Sequence, residues 1–371
     1  MNKILIVSNL DGFHKNFHLP YIKELHMRGW QVDLASRGDS EFEFVNNKFN
    51  ICFTRKPFSL SNLKALFSLR EIIKRGDYSI IFCNTPIPGA ISRIAAIGTK
   101  NKHAKVIYSA HGYSFYSGGS LFWNTFYRFV EKALSYFTDT IITMNREDYD
   151  NSLKYKFHGR IVNVNGVGIV LDKFRPADRA EKLALRVKKG YSENDLILIY
   201  PAELTQRKNQ IMLIDVMEVL TKEINNVKLL LVGSGILEET YKEEIKKRKL
   251  DNYIELLGFR EDVPDLLKMS DMLIASSLTE GLPINVIEAM ATGLPVVATR
   301  ARGHEDLIVH GENGFVFERD DIKTAAEYIR NLYENQELYD KLRKNTIESA
   351  QKYDVKDVMS EYLELLDIKV L

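Results

Sequence analysis

The chain has 371 residues, of which 27% are charged, and its formal net charge is +1 at pH 7. This length is too great for one ordinary hydrophobic core and fits two α/β domains of roughly 150 to 200 residues each. No run approaches the about 20 apolar residues that span a bilayer, and the amino terminus enters a strand without the apolar stretch of a signal peptide. The two cysteines suggest neither a disulfide framework nor a thiolate metal site. We expect a cytoplasmic protein without an integral membrane segment.

The first half of the chain alternates short apolar runs with helical patterns, which predicts βαβ repetition and a parallel sheet. The predicted strands are Ile4 to Val7, Gln31 to Ala35, Ser79 to Cys83, Lys105 to Ser109 and Thr140 to Thr143. A helix between the first two strands is expected to end at Gly29. Its predicted buried stripe consists of Leu19, Ile22, Leu25 and His26.

The second half repeats this alternation after a segment from Gly166 to Pro176, whose glycines and proline are typical of a linker. Its predicted strands are Leu196 to Pro201, Lys228 to Val232, Tyr253 to Leu257, Met272 to Ala275, Val296 to Thr299 and Gly314 to Val316. A helical pattern runs from about Asp354 to Leu366. These patterns predict two Rossmann-like domains.

Charge is distributed unevenly along the chain. Residues 1–171 carry a net charge of +9 and the remainder a net charge of −8. Such a split indicates either a basic face that meets an anionic partner, such as lipid or nucleic acid, or complementary charges on two domains. The sequence leaves both interpretations open.

Glu280 and Glu288 are separated by seven residues in a stretch that joins two predicted strands. Met272 to Ala275 forms the first strand, the second begins at Pro295, and a helix could start at Pro283 between them. Glu280 would then lie at the carboxyl end of a strand, where open α/β sheets bind ligands, and Glu288 on the following helix. The alternative is one charge at a helix start and one on a solvated helix face.

This stretch resembles the E-x7-E signature of retaining glycosyltransferases of family 4, and the resemblance extends over most of the chain. It implies an α/β protein of the GT-B fold, with two Rossmann-like domains facing each other across a cleft. Residues 1–170 would form the acceptor domain and residues 171–353 the nucleotide-sugar donor domain. A helix within residues 354–371 would cross back to the first domain.

The resemblance also implies roles for residues of this motif. Glu280, with Gly281 and Leu282 beside it, would bind hydroxyl groups of the donor sugar. Glu288 would hold the ribose of the nucleotide.

The loop after the first strand of the second domain, Ala202 to Asn209, resembles the family's G-R-L-x-x-x-K pattern, in which arginine and lysine bind the diphosphate. Lys208 matches the lysine, whereas Glu203 stands where the arginine is usual. Arg207 would replace the missing arginine if its side chain points in the same direction as that of Lys208. Neighbouring side chains often point in different directions. The alternative is that Arg207 and Lys208 are a solvated surface pair.

Two further loops are weaker candidates for the donor site. Gly233 lies in a glycine-containing turn that would allow close backbone approach to a nucleotide, although a bare turn is as plausible. Phe259 and Arg260 resemble the family's base-binding strip, where the arginine would cover the face of the base. A solvated loop is the alternative for Arg260.

In the first domain, His111 follows a predicted strand directly and precedes a glycine. A lone histidine is more often a structural hydrogen-bonding group, but this position suits a ligand crevice. The resemblance implies that His111 contacts the donor sugar near the reacting carbon. Gly12 and His14, in the loop after the first strand, are expected to face the diphosphate or the acceptor.

No metal is expected. Asp148-Tyr149-Asp150 superficially resembles the D-x-D metal motif of the other glycosyltransferase fold, but it lies in a helical pattern and is interpreted as surface. In the family, the acceptor attacks on the face that the leaving group departs from, and the leaving phosphate oxygen takes the acceptor's proton. The co-substrate would be a nucleotide sugar, preferably a UDP-sugar, without another cofactor.

The acceptor is less constrained by the sequence. The segment from Lys56 to Arg70 mixes basic and apolar residues at helical spacing, and Tyr113 to Phe137 is rich in aromatic residues. Both resemble the amphipathic faces of peripheral enzymes that use lipid-linked acceptors, although part of this pattern can be core. The residues around His111 and Tyr116 resemble bacterial exopolysaccharide and capsule glycosyltransferases, which implies an undecaprenyl-diphosphate-linked saccharide or another oligosaccharide as the acceptor. We expect the protein at the inner face of an anionic membrane, and no nucleic acid. The sequence does not indicate the oligomeric state.

The resemblance therefore implies a hexosyl- or N-acetylhexosaminyltransferase of capsule, exopolysaccharide or O-antigen synthesis. A UDP-N-acetylglucosamine 2-epimerase-like enzyme is the alternative on the same fold, and it would turn over UDP-sugar without an acceptor. A two-domain sugar-binding protein without catalytic activity is the third possibility, and it would bind sugar without turnover.

Overall fold

The computed structural model describes residues 2–366 and residue 368. The chain divides into two compact units. The first unit is built from the chain up to Gly168 together with the chain from Val355 onwards, and the second unit is Ile169–Asp354. Each unit contains one parallel sheet with helices between most successive strands, so the predicted pair of α/β units is confirmed.

The sheet of the first unit has seven strands in the order β3-β2-β1-β4-β5-β6-β7. Its strands are β1 (Lys3–Leu10), β2 (Gln31–Arg37), β3 (Asn47–Asn50), β4 (Ile80–Asn84), β5 (Lys105–Ala110), β6 (Thr140–Thr143) and β7 (Arg160–Asn163). Every adjacent pair is parallel. The central strands are buried on both faces, as their continuous apolar runs predict.

The helices of the first unit connect these strands, and the last one comes from the carboxy-terminal end of the chain. They are α1 (Asp11–Phe13), α2 (Leu19–Met27), α3 (Leu60–Gly76), α4 (Pro86–Ala96), α5 (Leu121–Ser135), α6 (Arg146–Lys154) and α15 (Val355–Leu365). A single π turn, His14–His18, separates α1 from α2. Tyr362 attaches α15 to this unit, because its ring contacts Tyr21 and Phe82 and its hydroxyl lies 3.4 Å from Ser109 Oγ.

The predicted buried stripe of α2 is partly wrong. Ile22 and Leu25 are buried, but Leu19 and His26 are exposed, and Tyr21 completes the buried face. Leu19 is the first residue of α2 and His26 lies in its last turn, so the buried face is confined to the middle of the helix.

The second unit has a six-stranded parallel sheet in the order β10-β9-β8-β11-β12-β13. Its strands are β8 (Leu196–Pro201), β9 (Val227–Val232), β10 (Ile254–Gly258), β11 (Met272–Ala275), β12 (Val296–Thr299) and β13 (Gly314–Phe317). Its helices are α7 (Arg179–Lys189), α8 (Gln210–Leu220), α9 (Glu238–Lys247), α10 (Val263–Met269), α11 (Ile284–Ala291), α12 (His304–Leu307), α13 (Ile322–Glu334) and α14 (Gln336–Ala350). Short 3₁₀ turns occur at Leu171–Phe174 and Gln351–Tyr353.

Both sheets reverse their strand order at one place, between β1 and β4 in the first unit and between β8 and β11 in the second. In doubly wound folds the loops at the carboxyl ends of the two strands diverge there and leave a ligand crevice. Each unit therefore has one topologically favoured position for a site. Within the part of the chain that the structure describes, no helix combines the length and the apolar character needed to cross a membrane.

Candidate functional site

The second unit brings the loop after β8 and the loop after β11 together at the reversal point of its sheet. The first of these loops runs from Ala202 to Asn209 and the second from Ser276 to Pro283. Backbone hydrogen bonds join them, because Leu278 N donates to Arg207 O and Ser276 Oγ donates to Lys208 O. This contact places Arg207 and Lys208 beside the first glutamate of the E-x7-E motif.

Arg207 and Lys208 both bind the carboxylate of Glu280. Lys208 Nζ lies 2.5 Å from Glu280 Oε1, and an Arg207 terminal nitrogen lies 2.7 Å from Oε2. Lys208 and Glu280 are buried, whereas 47% of the Arg207 side chain is exposed. The two neighbouring cations converge on one carboxylate, while Glu203 is exposed on the same loop. With two cations and one anion, the cluster has a formal net charge of +1.

Hydroxyl groups and a close-packed glycine hold Glu280 in place. Ser277 Oγ donates to Glu280 Oε1 at 2.5 Å, and the Tyr200 hydroxyl lies 2.6 Å from Ser277 Oγ. Gly303 has a φ of +84°, and a Cβ atom there would lie 2.8 Å from Glu280 Cβ and 2.9 Å from the carbonyl oxygen of Gly281. The loop that carries Glu280 therefore requires glycine at position 303.

The electrostatic environment keeps Glu280 ionised. Burial would raise the pKa of Glu280, but the charges of Lys208 and Arg207 and the hydrogen bonds from Lys208 and Ser277 lower it to about 2. Burial lowers the pKa of Lys208, and the charge of Glu280 opposes that effect. The cluster is therefore a buried ionic network whose outer cation, Arg207, is accessible.

Glu288 lies on α11, the helix that follows the Glu280 loop, and has a different environment. Its side chain is half-buried, and burial raises its pKa to about 8. No described side chain donates a hydrogen bond to its carboxylate, in contrast to Glu280. The motif thus contains an ion-paired carboxylate and a carboxyl group that is largely protonated near neutral pH.

The remaining predicted donor residues lie around this cluster or on neighbouring loops. Gly281 and Leu282 continue the Glu280 loop and are half-buried. Gly233 has a φ of +140°, and a Cβ there would lie 2.3 Å from Ala202 O, so this glycine permits close packing of two backbone loops. Phe259 is exposed after β10, and Arg260 forms a two-pronged hydrogen bond with Asp262 at 2.7 Å.

The first unit places His111 near the reversal point of its own sheet. His111 follows β5, and its Nε2 atom lies 3.2 Å from Oδ1 of Asn84, the last residue of β4. The edge of Phe13 packs against the His111 ring, with centroids 4.9 Å apart. Burial, followed by the charge of His18, lowers the pKa of His111 to about 3. His111 is therefore neutral at physiological pH.

His14 does not lie on the surface of the loop after β1. It is fully buried in the π turn, with Nε2 2.9 Å from Ser8 Oγ and Nδ1 2.9 Å from His18 Nδ1. Gly12 is exposed on the same loop. The structure thus separates the two predicted residues of this loop, and His14 belongs to a buried histidine cluster with His18.

Asp148 was expected on the surface, and this expectation is wrong. Its side chain is fully buried and accepts hydrogen bonds at 2.9 Å from the backbone nitrogen of Tyr113 and from Asn145 Nδ2. Tyr113 lies two residues after His111, so Asp148 anchors the loop that carries this histidine. Among the described residues, no group of three or more His, Cys, Asp and Glu side chains is arranged to hold a metal ion.

Sequence reasoning missed Ser277, Arg302, Asn84 and His18. Arg302 Nε donates to Glu280 O at 2.8 Å, and Ser277 lies three residues before Glu280. Their positions directly after buried strands were a usable signal for Ser277 and Asn84. The arrangement offers a net cationic cluster in one unit and neutral hydrogen-bonding groups in the other.

Two family models match the chain. Residues 3–145 match the model described as glycosyl transferase 4-like, and residues 181–351 match the model described as glycosyl transferases group 1. The two matches cover the cores of both units.

Individual relatives extend over most of the chain. The protein EpsD of Bacillus subtilis (strain 168) is 36% identical over 98% of this chain and 97% of its own length. The UDP-Gal:alpha-D-GlcNAc-diphosphoundecaprenol alpha-1,3-galactosyltransferase of Escherichia coli is 28% identical over 71% of this chain and 68% of its own. The crystal structure of Anabaena HepE in complex with UDP-glucose superimposes with a TM-score of 0.79 at 20% identity, over 99% of this chain and 100% of that chain.

Proposed function

Because the chain belongs to the group 1 glycosyltransferases of family 4 and has the GT-B fold, we propose that it transfers a hexosyl or N-acetylhexosaminyl group from a UDP-sugar to a saccharide acceptor with retention of configuration. The observation that carries this proposal is the convergence of Arg207 and Lys208 on Glu280 at the reversal point of the second sheet. A net cationic cluster at this position fits the diphosphate of a nucleotide sugar.

In the proposed donor site, Lys208 and Arg207 bind the diphosphate and stabilise the charge that develops as it leaves. Glu280 orients both cations and accepts hydrogen bonds from sugar hydroxyls, with Gly281 and Leu282 beside it. Glu288 accepts hydrogen bonds from the ribose.

Around these residues, Gly233 shapes the phosphate loop, and Phe259 and Arg260 lie against the base. His111 contacts the sugar near the reacting carbon, and the loop of Gly12 and His14 faces the diphosphate or the acceptor.

The proposed reaction breaks the bond between the anomeric carbon and the diphosphate oxygen and forms a bond from that carbon to an acceptor hydroxyl oxygen on the same face. The proton of the acceptor hydroxyl passes to the departing phosphate oxygen, so the products are the glycoside and UDP. Charge stabilisation by Lys208 and Arg207 serves this step, and no metal ion is required.

Two comparisons support the substrates in this proposal. The Anabaena HepE structure contains UDP-glucose, which supports a uridine nucleotide donor. The E. coli relative is named for a galactosyl donor linked to UDP and for an acceptor linked to diphosphoundecaprenol. We therefore propose a polyprenyl-diphosphate-linked saccharide as the acceptor, in the synthesis of an exopolysaccharide, capsule or O-antigen.

A lipid-linked acceptor requires access to a membrane surface, and the first unit has a suitable apolar face. The residues of this aromatic face are all exposed: Phe58, Leu60, Leu63, Phe67, Leu121, Phe122 and Trp123. Phe126 joins its two halves, with ring centroids 6.3 Å from Phe58 and 5.9 Å from Trp123.

Exposed basic residues lie within the same segment as the aromatic face. They include Arg55, Lys56 and Lys64. Peripheral membrane proteins typically insert apolar rings into the lipid interface and place cations beside them. Each such cation contributes about 1 kcal/mol to binding near anionic headgroups. We propose that this face docks on the cytoplasmic surface of an anionic membrane.

The transferase proposal is tested by incubating the purified protein with a panel of UDP-sugars and a short-chain polyprenyl-diphosphate saccharide, in the presence of EDTA. We expect an acceptor-dependent product whose anomeric configuration, read by NMR, matches that of the donor. Turnover of UDP-N-acetylglucosamine without acceptor would instead identify an epimerase. Sugar binding without any turnover would identify a binding protein.

The membrane proposal is tested by flotation with vesicles of phosphatidylcholine, with and without phosphatidylglycerol. We expect binding to the anionic vesicles only, and its loss by an order of magnitude in F58S/F122S. The control I236S/V187S changes two exposed apolar residues of the second unit and should bind like the parent. A parent that floats with neither vesicle, or a dimer that F58S/F122S dissociates, would contradict the proposal.

A further inference from the structure

The histidine cluster of the first unit leads to His111. Hydrogen bonds join Ser8 to His14 and His14 to His18, Asn84 lies beside His18, and Asn84 is hydrogen-bonded to His111. The sequence spreads these five residues over more than a hundred positions, and the reversal point between β1 and β4 gathers them. All of them except His111 are buried at or below 3% exposure.

Asn84 links this cluster to His111. Its Oδ1 atom lies 3.2 Å from His111 Nε2, and its side chain is close enough to His18 to act on the pKa of that imidazole. The opposite end of the amide is fixed, because Nδ2 donates to the backbone carbonyl of Val7 at 3.3 Å. With Nδ2 committed to a carbonyl, Oδ1 must be the atom that faces the His111 ring, and Oδ1 can only accept.

This orientation determines where the proton of His111 resides. An acceptor opposite Nε2 requires a hydrogen on Nε2, and a neutral imidazole then carries a lone pair on Nδ1. The opposite tautomer would place the Nε2 lone pair against the Asn84 oxygen. His18 is the titratable group whose charge acts on His111, and burial keeps both imidazoles neutral, with pKa values of about 3.

The backbone conformations next to Asn84 and in the π turn indicate that this arrangement costs conformational energy. Thr85, the next residue, has a φ of +66°, which is a strained conformation for a β-branched side chain. His14–His18 forms a π turn, a rare element that is frequent at functional sites. Both irregular segments contact the same cluster.

We propose that Asn84 is a positioning residue that holds His111 as the Nε2-protonated tautomer and so presents Nδ1 as a hydrogen-bond acceptor for a hydroxyl group of the sugar substrate. His18 lies beside the same amide, and His14 and Ser8 complete the buried cluster. The consequence for the reaction rests on the role proposed above for His111. In this arrangement His111 orients a hydroxyl group and does not donate a proton from Nδ1.

The tautomer is measured directly by two-bond ¹⁵N–¹H NMR on protein labelled at histidine, with the His111 signals assigned by their loss in H111Q. We expect the Nε2-protonated pattern for His111 at neutral pH. A pattern with the proton on Nδ1, or an averaged mixture of both tautomers, would overturn the proposal without reference to catalysis.

Two variants connect the tautomer to the reaction. In N84D a protonated carboxyl group can donate to the Val7 carbonyl and keep an oxygen acceptor toward His111, so this variant should keep the tautomer and retain kcat within a few-fold. N84L removes the acceptor, so the His111 signals should shift to a mixture and kcat should fall by about tenfold, with a smaller change in KM. An unchanged tautomer or an unchanged kcat in folded N84L would overturn the positioning role.

A matched control separates positioning from stability. Asn62 is also buried in the first unit, and its side chain bonds to the backbone of the loop before α3, so N62L should lower the melting temperature without moving the His111 signals. If N84L does not fold, the parent spectrum and N84D still decide the assignment. If the parent transfers no sugar at all, the proposed function fails while the NMR result still tests the role of Asn84.

Discussion

The reversal points of the two sheets differ in how they accommodate buried polar groups. In the second unit, Glu280 is buried as an anion and is matched by the Lys208 and Arg207 cations. In the first unit, His18 and His111 are neutral at physiological pH, and His111 is hydrogen-bonded to Asn84. The two sheets share the same order around this point, so topology alone does not determine the chemistry.

The loops at the two reversal points determine the chemistry of each site instead. The second unit has a net positive cluster with an accessible guanidinium group, which suits an anionic ligand. The neutral cluster of the first unit suits hydroxyl groups, which need directed acceptors rather than charge. One fold therefore supplies two complementary positions, and each can be perturbed separately.

The largest effect is expected from removing the buried cation. Lys208→Ala should lower turnover on the order of 10²-fold or more, because a contact to the leaving diphosphate is lost. It should also lower stability by about 3–5 kcal/mol, because Glu280 loses its buried partner. Steady-state kinetics and chemical denaturation measure the two effects.

Lys182→Ala is the matched control for this experiment. Lys182 is paired with Asp271 at 2.7 Å in the same unit, away from the loops after β8 and β11. It should lower stability with little change in turnover. Equal losses of turnover in both variants would show that Lys208 acts only through stability.

A smaller, pH-dependent effect is expected from Glu288. Burial raises its pKa to about 8, and the ribose hydroxyls are proposed to donate to the ionised form. UDP binding should therefore release protons at pH 7.5, and affinity should rise by up to about tenfold between pH 7 and pH 9. Calorimetry in HEPES and Tris, whose ionisation enthalpies differ, measures the proton release.

The isosteric Glu288→Gln should remove both the proton release and the pH dependence. The direction in which Glu288 changes the free energy of unfolding with pH also follows. Because folding raises the pKa of Glu288, its contribution to stability is fully present below the pKa of 4.5 in the unfolded state and is lost as pH rises through about 8. Melting temperatures of parent and variant should diverge between about pH 4.5 and about pH 8, and the variant should be the more stable above that range. Parallel curves would contradict the assignment.

A still smaller effect is expected from close packing behind Glu280. Gly303→Ala should weaken UDP binding several-fold, because its Cβ would displace the loop that carries Glu280. Gly311 is the control, since it also has a positive φ but has open space where a Cβ atom would lie. Gly311→Ala should cost only backbone strain and leave UDP affinity unchanged, as isothermal titration can establish.

The smallest effect concerns the neutral cluster. Because the pKa values of His18 and His111 are about 3, kcat/KM should show no inflection near pH 6.5. The two histidines contribute to stability above 6.5, which is their pKa in the unfolded state, and this contribution is lost as pH falls toward about 3. An inflection near 6.5 that disappears in His111→Gln would contradict the neutral assignment.

Much of this fold was predictable because its central strands are continuous apolar runs. The strands β3 and β7 were missed, since their sequences, Asn47–Asn50 and Arg160–Asn163, are short, partly polar edge strands. Edge strands bury little surface, so their hydrophobic pattern is weak. The π turn was also missed, because no local residue preference distinguishes it from regular helix.

The site was predictable in part for a related reason. Motif spacing placed Glu280 and Lys208 at strand ends and Glu288 on the following helix, but the direction of Arg207 depends on a loop contact that spacing does not encode. Likewise, Asn84 and His18 meet His111 only through the tertiary arrangement of β1, β4 and β5. Local patterns identified the loops, and packing determined which side chains meet.

The central claim is that Lys208, Arg207 and Glu280 form a nucleotide diphosphate site. Isothermal titration of UDP and UMP, with EDTA present, into the parent and Lys208→Ala tests it most directly. We predict that the parent binds UDP at least tenfold more tightly than UMP and that Lys208→Ala loses most of this preference. Equal affinity of the parent for both nucleotides, or an undiminished preference in Lys208→Ala, would contradict the claim.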